Sequence, residues 1–158
     1  MEFGKWLKIG VVTYILGASA VHANEAKAVY DVTSGDSAKI EKEMIKSIKN
    51  VTAHYKGQNK EFKTIVVISG DAYKYFIEEL AESPYATDKS ALEIQPKFRA
   101  VFKELNDDYH VTFKMCSAGM KARGIKMETL YPFVHADAIK DVYLIDAQND
   151  GYAYIPVH

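Results

Sequence analysis

Two rhythms of hydrophobic and polar positions take turns along the chain from Ala28 to Pro156, one an unbroken or alternating apolar run and the other an apolar stripe at helical spacing. Ala28-Val-Tyr-Asp-Val32 is a compact apolar run ending in Thr33-Ser-Gly-Asp36, which predicts a first strand and its turn, with Asp36 or Ser37 placed to cap the next helix. Ile40, Met44, Ile45, Ile48, Val51 and Tyr55 then share one stripe, while Glu41, Lys42, Glu43, Lys46 and Lys49 occupy the rest. This is an amphipathic helix with a solvated charged face. After the loop Gly57-Gln-Asn-Lys60 comes Thr64-Ile-Val-Val-Ile68, a β-branched run of the kind found in a parallel strand covered on both faces. It leads through Ser69-Gly70-Asp71 into a short helix carrying Tyr75, Phe76 and Leu80.

Glu82 to Asp88 is polar and turn-rich, and is expected to form a mobile loop. The next stripe, Phe98, Val101, Phe102, Leu105 and Tyr109, predicts a helix that starts either at a capping box of Ser90 with Glu93 or at Pro96. Val111, Phe113 and Met115 alternate with His110, Thr112 and Lys114, so a strand is expected from His110 to Met115 with Cys116 at its C-terminal end. Leu130-Tyr-Pro-Phe-Val134 reads as a short strand, and Asp137 as the cap of a helix carrying Ile139, Val142 and Ile145. Propensity alone would make Val142 to Ile145 a strand. Tyr152-Ala-Tyr-Ile155 is a last strand before Pro156. Strands alternating with helices over the whole length predict an α/β layered sandwich with a mainly parallel sheet of about five strands, and no second domain or internal repeat is seen.

In such sheets the sites lie beyond the carboxyl ends of the strands, which is where Cys116, the only cysteine, falls. The segment Ser117-Ala-Gly119-Met-Lys121-Ala-Arg123 can open a helix, whose free N–H groups favour a thiolate over a thiol. Lys114, Lys121 and Arg123 add positive charge nearby. Free cysteine is also among the most often buried residues, so packing alone is the competing role. Asp36, Ser69 and Asp71 lie at the ends of other expected strands and could line the same edge together with Ser117, Gly119, Lys121 and Arg123. His110 shares the strand parity of Cys116 but lies about 20 Å away at ~3.3 Å per residue, too far to be its base.

Composition changes the picture at the N-terminus. Lys5 and Lys8 precede an uncharged run from Ile9 to Ala20 and then Val21-His22-Ala23, the order of parts in a secretory signal peptide. The run is shorter than the ~20 residues a membrane span needs, so cleavage after Ala23 and a periplasmic product are expected, with no stable membrane insertion. The remaining residues 24–158 form one domain of near-neutral charge, which argues against nucleic acid as a partner. In an oxidising compartment a lone thiol must be buried, paired with another molecule or used.

The order of elements, Phe113-Lys-Met-Cys116 followed by Lys121-Ala-Arg-Gly-Ile125, and the ending Gly151-Tyr-Ala-Tyr-Ile-Pro156 together resemble the DsrE/DsrF-like family over most of the chain. The resemblance implies a flavodoxin-like layered fold, small homo- or hetero-oligomers and, for Ile139 to Ala147, a helix. In sulfur-relay members a cysteine at this position accepts sulfane sulfur as a persulfide and passes it to a partner protein. Such members are cytoplasmic, whereas this chain carries an export pattern.

Three classes of function are compatible with these residues. A sulfur carrier or sulfurtransferase needs one thiolate, Cys116, with a donor and an acceptor protein for the sulfur. A non-catalytic periplasmic ligand-binding or oligomeric assembly module would leave Cys116 packed and unreactive. A metal protein would have to use His110, His135, His158 and Cys116, whose spacings match no ligand motif. No cofactor or metal is expected, and a dithiol oxidoreductase is excluded because no second cysteine exists.

Overall fold

The computed structural model describes residues 25–158; the expected signal peptide at residues 1–23 lies outside them. Five parallel strands, β1 (Glu25–Val32), β2 (Glu61–Ile68), β3 (Thr112–Met115), β4 (Val134–His135) and β5 (Ala153–Val157), form one sheet in the order β4-β3-β2-β1-β5. The pairing of β1 with β2 runs in register from Glu25 opposite Glu61 to Val32 opposite Ile68. These two strands are central and therefore apolar on both faces, the burial that the β-branched run of β2 anticipates.

Side-chain alternation divides the sheet into two cores. One face presents Tyr30, Val32, Val66, Ile68, Phe113 and Met115 to helices α1 (37–56) and α2 (Lys89–Asp107). The expected stripe of α1 provides Ile40, Met44, Ile45 and Ile48, and the stripe of α2 provides Phe98, Phe102 and Leu105. Within α1 the segment Ile40–Ile45 is a π-helical stretch between α-helical ends, and the N–H of Lys46 reaches back to the carbonyl of Glu41. Phe76 and Phe102 stack at 4.5 Å between centroids and both touch Phe113, so aromatic rings fill the space between α2 and β3. Among the described residues the other face is covered by one helix, α4 (Lys140–Asn149), which packs Tyr143, Leu144 and Ala147 on Val29 and Val67. A further short helix, α3 (Ser117–Ala122), continues directly from β3.

Several local expectations change. The strand predicted from His110 begins only at Thr112, because α2 ends in a reversal with His110 at φ 53° and the Val111 N–H bonded to the Leu105 carbonyl. The cap of α2 is Asp88, which accepts the Ala91 N–H, while Ser90 turns its hydroxyl to Asp88 rather than to the Glu93 backbone. Pro96 lies inside this helix on its exposed side, where water can take the carbonyl that lost its partner. Glu82 to Asp88 is a series of hydrogen-bonded turns, with the Ser83 hydroxyl on the Leu80 carbonyl and Tyr85 packed against the core. The short helix with Tyr75 and Phe76 is a 3-10 turn, Ala72–Phe76, and Leu80 belongs to another.

Pro132 interrupts the strand expected from Leu130 to Val134, so only Val134 and His135 pair with β3, and Leu130 makes a separate bridge to Ile77. Val142 to Ile145 is helical, as the family resemblance implied against propensity, but the expected buried stripe faces outward. Ile139, Val142 and Ile145 are 44%, 42% and 55% exposed. Both sides of this helix are apolar, so periodicity could not choose between them, and the sheet selected the side with Tyr143 and Leu144. Asp137 does not cap it; the helix begins after Ile139, and Asp137 accepts the Tyr143 hydroxyl instead. Finally β5 runs through Pro156, which an edge strand tolerates because its missing N–H faces no neighbouring strand.

Candidate functional site

Cys116 is the residue at which β3 becomes α3. Its N–H completes the ladder by bonding to the Ile68 carbonyl, its φ and ψ remain extended, and its carbonyl already accepts the Met120 N–H of the new helix. The backbone therefore turns around the thiol while the side chain stays half-buried, packed against the edge of the larger core. Ser117 is fixed by a bond from its N–H to the Ala138 carbonyl, which draws the start of α4 against the start of α3.

The sulfur consequently sits between the beginnings of two helices. Burial pushes its pKa up, but the N–H groups of Gly119, Lys140 and Ala118 together with the Tyr73 hydroxyl outweigh it, and the thiol is held below its ordinary value. Hydrogen-bond donors do this; the basic side chains named from the sequence are committed elsewhere. Lys114 lies 3.7 Å from Asp137 with its ammonium over the Tyr143 ring. The Arg123 guanidinium is stacked 4.9 Å over the Tyr73 ring, 3.9 Å from Asp71. Lys121 closes the last turn of α3, exposed.

Tyr73 is the hinge of this cluster. Its hydroxyl donates to the Cys116 carbonyl at 3.0 Å, which holds the phenol beside the thiol. Burial, followed by the hydrogen bond with Cys116, raises its own pKa, which keeps it a proton donor at any ordinary pH. The ring fits only because residue 119 is glycine, since a Cβ there would collide with the Tyr73 hydroxyl. Gly119 is thus needed for close approach as well as for its N–H.

Of the other residues expected at this edge, Asp71 and Arg123 join the cluster through Tyr73, and Ser117 and Gly119 through the backbone. Ser69 is buried at the end of β2, where its carbonyl accepts the Ala72 N–H and so starts the turn that delivers Tyr73. Asp36 caps α1 by accepting the Ala38 and Lys39 N–H groups, with no contact to the thiol. His110 lies at the opposite end of the sheet with Lys56 and Lys60, and His158 bonds Thr33 through Nδ1. Among the described residues no three His, Cys, Asp or Glu side chains converge as a metal site.

Sequence reasoning missed Tyr73, Lys140 and Asp31. The Asp31 carboxylate is only 2% exposed on β1; one oxygen accepts Lys140 Nζ at 3.0 Å and the Tyr154 hydroxyl at 2.9 Å, and the other has no partner among the described residues. Lys140 therefore ties the start of α4 to the central strand with its side chain, and its N–H counts among the groups that hold the thiol pKa down. Nothing local to residues 73 or 140 signals these roles, because both depend on which loops meet above β3.

The chain is similar to an uncharacterized protein of Aquifex aeolicus (strain VF5), 28% identical over 134 residues that make up 85% of this chain and 57% of that protein. It thus spans somewhat over half of the relative's length. Among solved structures, the protein of unknown function MTH1491 from Methanobacterium thermoautotrophicum superposes with a TM-score of 0.62 at 17% identity, over 83% of this chain and 98% of that one. The ychN protein from E. coli covers the same shares at 15% identity with a TM-score of 0.45. MTH1491 supports the α/β fold alone. The model of the DsrE/DsrF-like family matches residues 19–157, and with the five-stranded parallel sheet and the thiol at the end of β3 in place, the chain belongs to the DsrE/DsrF-like family.

Proposed function

We propose that this protein is a sulfur carrier in which Cys116 holds sulfane sulfur as a persulfide. The observation that supports the reading best is the ring of donors around the sulfur, which favours the anion despite burial. The thiolate attacks a sulfane sulfur of a donor; the bond between that sulfur and the donor breaks, the electron pair leaves with the donor's remaining sulfur, and Cys116 becomes a persulfide anion. The same N–H groups then face a negatively charged terminal sulfur. A second thiolate, from an acceptor, takes that sulfur and returns the Cys116 thiolate, so one cysteine is sufficient.

Export with cleavage after Ala23 and assembly into a homo-oligomer complete the proposal, the first from the order of charge, apolar run and small residues, the second from the family resemblance and an aromatic-rich chain. Incubation with polysulfide and then intact-mass measurement tests the carrier step. Additions in multiples of about 32 Da, the mass of one sulfur atom carried as the persulfide, are expected on the wild type and absent from Cys116→Ser. A folded protein whose Cys116 stays unmodified would leave the ligand-binding or assembly module as the reading.

A further inference from the structure

The outer side of α4 is apolar, acidic and next to the thiol. Val142 and Ile145 point into solvent along its middle, Ile139 joins them at the start, and the Ala138 carbonyl just before it takes the N–H of Ser117, the neighbour of Cys116. A depression of about 390 Å³ runs beside the helix toward β3, lined by Val142, Asp137, Asp146 and Asp150, with Lys114 as the only cation among the described residues there. Among the described residues Asp141, Asp146 and Asp150 have no ion-pair partner. Lys140 does not offset them, since Asp31 holds its ammonium.

Asp141 suits the first turn of the helix, but the position of the other two carboxylates is costly. Asp146 is in the last turn of α4 and Asp150 at its C-cap, where the dipole is negative and the turn itself carries no basic side chain. An arrangement that lowers helix stability and leaves an apolar strip in water calls for a gain outside the chain. A second copy packed by a two-fold axis on the same strip would set these carboxylates against themselves.

Resting on the carrier reading, we propose that the outward strip of α4 and the acid-lined depression beside it are the docking surface for a partner protein that presents a cysteine within a basic, apolar-centred patch to Cys116. The strip supplies area and the carboxylates supply orientation and encounter rate, with the partner's sulfur delivered at the Ile139 end, beside the thiol.

Thiol–disulfide exchange tests the docking without requiring any sulfur transfer. Two amphipathic probe peptides, one Lys/Leu and one Glu/Leu, each carry a cysteine as its mixed disulfide with thionitrobenzoate. The Cys116 thiolate attacks the peptide sulfur, a Cys116–peptide disulfide forms, and the coloured aryl thiolate leaves. At low salt the basic peptide should react at least about tenfold faster than the acidic one, as electrostatic steering produces, and the ratio should collapse toward unity in Asp141→Lys/Asp146→Lys. Ile145→Ser, which removes the exposed apolar side chain without adding charge, should slow the basic peptide and leave a small neutral aryl disulfide unaffected. Equal rates for the two peptides overturn the proposal. So does light scattering in which Ile145→Asp turns an oligomer into a monomer, because the strip is then covered by a second copy. If the neutral disulfide fails to react, the carrier reading falls separately; anisotropy of the labelled basic peptide on Cys116→Ser then judges the docking, with binding weakened by the Asp141/Asp146 substitutions as the supporting result and no binding as the overturning one.

Discussion

At the residue scale the surroundings of the thiol depend on one phenol and one missing side chain. Tyr73 is among the groups that hold the Cys116 pKa down, so Tyr73→Phe should move the pH midpoint of alkylation upward, from a wild-type value below that of an ordinary thiol. Gly119→Ala should act in the same direction through Tyr73, because the added methyl displaces the phenol; a cost of about 1–3 kcal/mol in stability accompanies such overpacking. Rates of iodoacetamide reaction from pH 5 to 10 check both. An unchanged midpoint in Tyr73→Phe would mean that its proton stays on the Cys116 carbonyl.

At the element scale the start of α2 rests on Asp88. The Ser90 hydroxyl and the Ala91 N–H, with help from Lys74, hold its carboxyl down at about 2. A folded-state pKa depressed in this way stabilises the protein above the unfolded value of about 3.9 and ceases to do so as pH falls through about 2. Between about pH 4 and 2, the window these two values define, the wild type should lose stability more steeply than Asp88→Asn, which keeps a capping oxygen without the charge. Asp88→Ala should lose about 1 kcal/mol already at neutral pH, as removal of a helix cap does. Urea denaturation at a series of pH values measures both effects. The outward face of α4 behaves differently: Ile145→Asp is expected to change stability by less than about 0.5 kcal/mol, whereas the same substitution at the buried Leu144 should be severe.

For the whole molecule, the larger of the two cores carries most of the stability. Phe102 is fully buried and meets Phe76, Phe98, Phe113 and Tyr131, so it ties α2 to β3 and to the segment before β4. Phe102→Ala should cost about 3–5 kcal/mol in denaturant unfolding. A loss below about 1 kcal/mol would show that the rings repack without it. The core beneath α4 is smaller, since among the described residues a single helix covers that face, and this leaves room for contacts with other molecules. N-terminal sequencing of protein from its native host is expected to begin at Asn24; an intact Met1 on a membrane-bound product would turn the apolar run into an anchor.

The sequence by itself determined the order of elements, the parallel sheet and the residues that fill the α1 and α2 cores, because period-two and helical patterns report directly which positions leave water. It also placed Cys116 at the end of a strand before a helix, since that junction is local. Only tertiary structure decided which apolar side of α4 is buried, where the strand after α2 begins and that Pro132 cuts the segment before β4 short. The donors around the sulfur belong to the same class. Tyr73 arrives from the loop after β2 and Lys140 from the start of α4, and they meet Cys116 because β2 and β3 are neighbours and α4 crosses back over the sheet. Interactions between residues 43 or 24 positions apart leave no periodic trace in a chain, and they are what hold the Cys116 thiol below its ordinary pKa.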